Sequence, residues 1–227
     1  MTESEAEQAV TERVPADVKS LFAKYVPGRS FGDLGCMWNA DGAYAFYAER
    51  IGARPPLMAL DINERTPRYL EYERALRSKV RFRQESILEL TPEGVGTYET
   101  VFCSGIFYHM PDPVLALGRV LGICSRFAIL VTHTLRGDDE RLTFYPFSRR
   151  PETFPWERAY PRGREERFEI RYGDFGPWWF GFTESVFENM MRLFRFKLRE
   201  KSRYILELAP GAEENPQFTL FVAERDA

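Results

Sequence analysis

Between positions 30 and 135 the chain alternates short apolar runs with helical stretches of about ten residues, and that rhythm leaves few folds open. The apolar runs are 30–35, 57–60 closed by Asp61, 80–83, 100–104 and 127–132. Between them, 41–51 carries Ala43, Phe46, Tyr47 and Ile51 on one helical face, and 67–76 opens with a proline suited to a first turn. A third helix is expected from Asp112-Pro113, where Asp caps and Pro occupies the first helical position. Strands alternating with helices predict a parallel, doubly wound sheet with right-handed crossovers. Ligands of such sheets bind outside the carboxyl ends of the strands, where the strand order reverses.

The flanks differ. Val10, Val14, Val18, Leu21, Phe22 and Tyr25 have helical spacing, and Pro15 divides them into two short helices within an N-terminal segment, 1–28. From 136 to 182 the alternation stops, in a stretch rich in Arg, Pro and aromatic residues. A structureless loop of that length is rare in a compact domain, so the segment is expected to be a cap or lid with short elements of its own. A helix resumes over 183–194, with Thr183 at its start and Val186, Phe187, Met190, Met191 and Phe194 on its apolar face. Two last strands, 196–208 and 218–223, should form an antiparallel hairpin at the sheet edge. The expectation is one α/β domain over 1–227, with a mostly parallel seven-stranded sheet, an antiparallel C-terminal edge strand and the inserted cap.

Composition narrows the function classes. Hydrophobic residues make up 44 % and charged residues 29 %, enough to bury a core. The net charge of −3 gives no general attraction to nucleic acid, although a local basic patch would still allow it. No apolar stretch reaches the ~18 residues of a membrane span. The acidic N-terminus lacks the order of a secretory signal, and Cys36, Cys103 and Cys124 lie in or beside apolar runs, as reduced thiols do. A cytoplasmic location is expected.

Three features fall at successive strand ends. Asp33-Leu34-Gly35-Cys36, then Asp41-Gly42, place glycines where backbone can approach a ligand before a helix N-terminus; a tight turn without a ligand is the alternative. Asp61 closes the second strand nineteen residues after Gly42, and an acid there can accept both hydroxyls of a ribose; otherwise it is a solvated turn residue. Glu85-Ser86-Ile87 follows the third strand, where a polar side chain can meet an adenine amine and Ile87 its ring; a solvent-facing loop is the alternative.

With these residues in place, the segment from Asp33 to Phe46 resembles motif I of the class I S-adenosylmethionine (SAM)-dependent methyltransferases, in the form D-x-G-C-x-D-G-x-x-[ST]-F. The segment Tyr98-Glu-Thr-Val-Phe-Cys-Ser-Gly-Ile-Phe-Tyr-His-Met-Pro-Asp-Pro113 resembles the fourth-strand motif of the same family, F-D-x-V-x-x-x-G-V-L-Y-H-x-x-D-P. Trp178-Trp179-Phe180 before a helix is similar to a segment found in relatives of the tRNA-wobble carboxymethyltransferases and of natural-product methyltransferases. The chain departs from the pattern between Cys36 and Asp41, where about three extra residues lengthen the first turn and bring in Trp38, either over the ligand or packed away. The resemblance implies a Rossmann-like sheet, SAM as cofactor, and cofactor contacts from Asp33, Gly35, Cys36, Trp38, Gly42, Asp61, Ile62, Glu85, Ser86, Ile87, Ser104, Gly105 and Ile106. NAD is an alternative ligand that the Tyr108-His109 to Pro113 motif disfavours.

Methyl transfer is an in-line displacement that needs alignment and, for an oxygen nucleophile, a base. The two histidines, His109 and His133, follow the fourth and fifth strands and are the candidate catalytic residues; a structural ring is the alternative for each. The methyl group arrives activated, so no metal is expected. Asp138-Asp139-Glu140 would be the place for a hard cation if one were used. Aromatic and Arg side chains of the cap suit an acceptor pocket, with Tyr108, Tyr145, Trp178, Trp179 and Arg149 as candidate contacts; a satellite core with a solvated Arg face is the alternative. The resulting expectation is a methyltransferase of the EC 2.1.1 class acting on a small molecule, at oxygen, with a secondary metabolite or a sugar as acceptor. A tRNA- or nucleotide-modifying transferase and a non-catalytic SAM-binding protein stand as alternatives. No membrane or nucleic-acid partner is expected, and a homodimer is left open.

Overall fold

The structure, a computed structural model, describes residues 1–110, 112–146, 178–205 and 217–226. The chain divides into two compact units, Met1–Cys103 with Arg119–Ile129, and Ser104–Gly118 with Leu130–Ala227.

In the first unit β1 (Phe31–Leu34) runs parallel to both β2 (Leu57–Asp61) and β4 (Tyr98–Ser104), and β3 (Arg81–Gln84) runs parallel to β2. Every residue of β1 and β2 is buried, as expected of parallel strands covered on both faces. The edge strand β3 instead exposes Arg81, Arg83 and Gln84, charged and polar residues that discourage pairing with another chain. The helices are α1 (Glu3–Arg13), α2 (Ala16–Tyr25), α3 (Ala43–Arg50) and α4 (Pro67–Leu76). Local chemistry sets their starts. Thr2 and Glu5 form a reciprocal capping box on α1. Pro15, which divides the first two helices, stands at the N-cap of α2. Thr66 Oγ1 accepts from Tyr69 N at 3.0 Å, with Pro67 opening α4. Phe22 of α2 meets Phe31 and Phe102 edge-on at 5.2 and 5.1 Å, contacts each worth about 0.5–1.5 kcal/mol beyond their burial. A 3-10 turn (Ile87–Glu89) and α5 (Pro92–Val95) fill the passage from β3 to β4; both are too short to leave a periodic signal.

The second unit takes over the last six residues of β5 (Cys124–Leu135), and α6 (Pro113–Gly122) likewise begins in it. Asp112 Oδ1 accepts from Leu115 N at 2.8 Å, the expected cap of α6. β6 (Leu142–Pro146) pairs antiparallel with β7 (Trp178–Thr183), and β7 pairs parallel with β5 at Thr134 and Leu135. After α7 (Glu184–Leu193), β8 (Phe196–Ile205) and β9 (Gln217–Arg225) run antiparallel, and β9 also pairs with β5. Phe187 of α7 anchors this core against Phe107, Phe182 and Phe221 at 5.5, 5.8 and 5.0 Å.

The α/β class, the parallel arrangement and the C-terminal antiparallel hairpin follow the expectation. Strand number does not: the described residues hold nine strands, and the additional two, β6 and β7, come from the segment expected as a cap. Their sequences, LTFYP and WWFGFT, are rich in aromatic and β-branched residues suited to a pleated surface. Thr183 does stand at the N-cap of α7, but no side-chain cap is made there. Its hydroxyl accepts from Arg141 N at 3.1 Å instead. Among the described residues no helix is long and apolar enough to cross a membrane.

Candidate functional site

The tips of β1 and β2 in the first unit are joined by main-chain hydrogen bonds. Leu60 O accepts from Gly35 N at 2.7 Å and from Cys36 N at 3.2 Å. The lengthened turn then closes on itself, Gly42 N donating to Cys36 O at 2.8 Å. Within it, Gly35, Asn39, Asp41 and Gly42 all have positive φ (80°, 53°, 49° and 75°), a density of left-handed backbone that marks a shaped loop. Gly42 is also required by packing. A Cβ there would lie 2.4 Å from the Tyr69 ring, so the glycine serves the packing of α3 on α4.

Asp61, almost fully buried, ends β2 beside this turn. Its Oδ2 accepts from Met37 N at 2.8 Å. Oδ1 accepts from Asn63 N at 2.9 Å and Asn63 Nδ2 at 2.8 Å. A carboxylate offers about four acceptor positions, so three are filled and one, on Oδ2, is left. In this arrangement Asp61 has room for one hydroxyl, and taking two requires Asn63 to yield. Ile62 holds the β2–β3 passage through its carbonyl, which accepts from Gln84 Nε2 at 3.1 Å. Glu85 N donates to Asp61 O at 3.0 Å, while the Glu85 carboxylate pairs with Arg83 at 2.9 Å. Ser86 Oγ accepts from Leu88 N at 3.3 Å and Ile87 is buried. Glu85 and Ser86 thus each have a local partner already, and Ile87 supplies apolar surface.

Asp33 lies deeper than a ligand-facing acid. It is 1 % exposed and takes an amide bond from Ala45 of α3, while its Oδ2 has no hydrogen-bond partner. Burial, opposed by the Ala45 amide and reinforced by the charge of Asp61, pushes its carboxyl up to about 8. Burial likewise raises the Cys36 thiol well above its usual value, and all three cysteines are buried free thiols. Trp38, on the lengthened turn, is 42 % exposed.

In the second unit Gly105, with φ 76°, donates its N–H to Val131 O at 3.0 Å, and Ile106 O accepts from His109 N at 2.8 Å. These bonds fold the residues after Ser104 into the 3-10 turn Phe107–His109. Tyr108, His133 and Phe218 then form a triangle of edge-on rings with centroids 5.9–6.0 Å apart. His109 is buried and its ring lies 4.1 Å from that of Tyr108. Burial pushes His133 down to about 4, so its imidazole is neutral at pH 7. The structure therefore brings His133 and Tyr108 together, as two candidate residues, and adds Phe218, which the sequence reading omitted.

A polar cluster was also missed. Glu184, at the first position of α7, is chelated by Arg203, also accepts from Lys201 Nζ at 2.8 Å and from Thr219 Oγ1 at 2.9 Å, and is held down to about 2, chiefly by Arg203 against the cost of burial. Thr219 and Thr134 share a 2.7 Å hydroxyl contact, and Gln217 Nε2 donates to Thr134 at 3.0 Å. No sequence spacing links these four elements. Tyr145, Trp178 and Trp179 lie in the β6–β7 pair, Tyr145 in register with Trp179 and Trp178 with Pro146. Arg149 and the rest of the cap, 147–177, fall outside the described residues. Of the acidic trio, Asp139 pairs with Arg141 at 3.4 Å and Glu140 accepts from Asn189 Nδ2 at 2.9 Å. Among the described residues no group of three His, Cys, Asp or Glu side chains is placed to hold a metal ion.

No protein-family model matches the chain. A tRNA U34 carboxymethyltransferase from Campylobacter hominis is 30 % identical over 122 residues, which cover 52 % of this chain and 40 % of that protein. The chain therefore matches well under half the length of this curated relative. The 1,6-didemethyltoxoflavin-N1-methyltransferase of Burkholderia thailandensis, solved with its substrate and S-adenosylhomocysteine, superposes with a TM-score of 0.61 at 16 % identity, over 98 % of this chain and 79 % of that one. The magnesium protoporphyrin IX methyltransferase of Synechocystis PCC 6803, solved with S-adenosylhomocysteine, gives 0.60 at 16 % identity, over 97 % and 83 %. The parallel strand order and these likenesses agree, and the chain has the fold of the class I SAM-dependent methyltransferases.

Proposed function

We propose that the protein is a SAM-dependent methyltransferase that methylates a small molecule at oxygen. The observation that carries this reading is Asp61. It is a carboxylate at the tip of β2, oriented by Met37 N and Asn63, with one acceptor position left on Oδ2 for a ribose hydroxyl. In this reading Gly35 to Trp38, Gly42, Asp61 with Ile62, Glu85 to Ile87 and Ser104 to Ile106 serve the cofactor. Asp33, neutral and enclosed, supports the turn from beneath. Tyr108 with Tyr145, Trp178, Trp179 and Arg149 serve the acceptor. The small-molecule methyltransferases among the solved likenesses support this acceptor class.

His133 and His109 are the proton-accepting candidates. A neutral imidazole is ready to accept a proton, but one held near 4 is a weak base. That favours an acidic hydroxyl, phenolic or enolic, over the alcohol of a sugar. Two measurements test the reading. Calorimetry should show S-adenosylhomocysteine binding, and transfer of labelled methyl from SAM should appear with a panel of phenolic acceptors. If His133 is the base, turnover should bend on the acid side near pH 4 rather than 6.5, and His133→Ala should cost about 10²–10⁴-fold while cofactor affinity holds. Full turnover in both His133→Ala and His109→Ala would dismiss a histidine base.

A tRNA-modifying transferase is the second reading, favoured by the likeness to the Campylobacter hominis protein. It requires tight RNA binding that weakens steeply with salt. A well-folded protein that binds SAM yet methylates neither acceptor class would point to the non-catalytic alternative.

A further inference from the structure

We infer that Arg13, on the N-terminal helix α1, is a positioning residue for the cofactor loop, so that α1 sets how tightly the site takes its ligand. The inference rests on the SAM reading above and assigns control of that site to a helix far from its motifs.

The loop from Cys36 to Gly42 has two ends of different character. Its first half is tied to β2, through Leu60 O to Gly35 and Cys36 and through Asp61 to Met37 N. Its second half holds two non-glycine residues in left-handed backbone, Asn39 (φ 53°) and Asp41 (φ 49°). Asn and Asp tolerate that conformation better than other L residues but still populate it sparsely, so contacts from outside the loop favour it. The Asp41 carboxylate is held at both oxygens, Oδ1 accepting from Thr66 Oγ1 at 2.8 Å and Oδ2 pairing with Arg13 Nη1 at 2.9 Å. The same Arg13 nitrogen donates to Asn39 O at 2.9 Å. One guanidinium on α1 thus fixes both left-handed residues. α1 is itself moored to α3, where Glu7 pairs with Arg50 at 2.8 Å. Between the two anchored ends lie the partly exposed Trp38 and the amides of Asn39 and Ala40; among the described residues no backbone carbonyl accepts from those two amides.

A loop held in its binding shape loses less freedom on binding. The apparent dissociation constant equals the intrinsic one divided by the fraction of molecules already competent. Without Arg13 the loop is released to ordinary backbone basins, that fraction falls and the ligand binds more weakly, while the chemistry of the bound complex is unchanged. The pair is partly exposed, which limits the effect to roughly three- to tenfold.

The test is calorimetric titration of S-adenosylhomocysteine into the full chain, into Arg13→Met, Arg13→Lys, Asp41→Asn and the Arg13→Met/Asp41→Asn double variant, with thermal melts of each. Expected are a three- to tenfold weaker dissociation constant in Arg13→Met, a similar loss in Asp41→Asn, no further loss in the double variant, and partial recovery in Arg13→Lys. In methyl-transfer assays KM for SAM should rise and kcat should hold. Unchanged affinity in a folded Arg13→Met, even with a lowered melting temperature, would overturn the inference by leaving the pair a purely structural role. Fully additive losses in the double variant would overturn it too. Should Arg13→Met fail to fold, Arg13→Lys decides alone: affinity equal to the parent's overturns the inference, and a loss supports it. Absence of binding by the parent protein is a different result, since it removes the SAM reading itself.

Discussion

Two buried carboxyl groups in this protein meet opposite fates. Asp33, in β1, accepts a hydrogen bond from the Ala45 amide and has no cation beside it among the described residues, and burial, with the charge of Asp61 adding to it, lifts it to about 8. Glu184, at the start of α7, is also buried, though less deeply, and is held near 2 by Arg203, with Lys201 and Thr219 assisting. The first unit manages an interior acid by keeping it protonated, the second by surrounding it with donors. Burial alone therefore does not decide whether a carboxyl carries charge; the partners that the fold delivers do.

That contrast can be tested, starting with the largest effect. Glu184→Ala removes the acceptor shared by Arg203, Lys201 and Thr219. Because both cations are substantially solvent-accessible, the cost should sit below the range for a fully buried pair, at about 2–3 kcal/mol in denaturant unfolding. A loss under half a kcal/mol would mean the cluster contributes geometry without stability. Glu184 also predicts an acid transition. Its folded value lies below its unfolded value of 4.5, so its stabilising contribution is present above pH 4.5 and is lost as pH falls toward 2.

Asp33→Asn should act with the opposite sign, by removing a pH dependence rather than an ion pair. A carboxyl raised in the folded state stabilises below its ordinary value of 3.8, and that contribution is lost as pH rises toward 8, with a slope of at most about 1.4 kcal/mol per pH unit. The amide does not titrate. Unfolding free energies measured from pH 5 to 9 should therefore decline for the parent and stay flatter for Asp33→Asn, and parallel curves would refute a protonated Asp33. Smallest of the three, Thr219→Val removes one neutral donor to Glu184 and one hydroxyl contact to Thr134, and should cost about 1 kcal/mol. A loss as large as that of Glu184→Ala would show that the threonines, rather than the arginine, hold the acid.

The same contrast explains what could be read in advance. Asp61 was legible because its setting is local: a strand end, a turn of glycines and an Asn two residues on. Even there the count of donors was not, since Asn63 fills two acceptor positions and leaves room for one hydroxyl where two were expected. Gly42 has a second role that nothing in the motif announces, since Tyr69 of α4 lies against it. Glu184 passed unnoticed, since its partners come from β8 and β9, 17 to 35 positions away, and ordinary surface charges look the same in sequence. Phe218 joined His133 and Tyr108 only through the pairing of β9 with β5.

What the sequence by itself determined is therefore periodic or contiguous: strands, helices, caps, the parallel order they imply, and the motif residues at strand tips. These depend on backbone preference and on neighbours a few positions away, which a linear string records. What only the tertiary structure decided is which side chains from distant elements share a dielectric environment and a set of donors. That sharing makes Asp33 neutral, Glu184 charged and His133 a weak base. It also hands a turn between β1 and α3 to an arginine on α1. These outcomes turn on distances of about three ångströms between residues tens of positions apart, and no pattern along the chain encodes them.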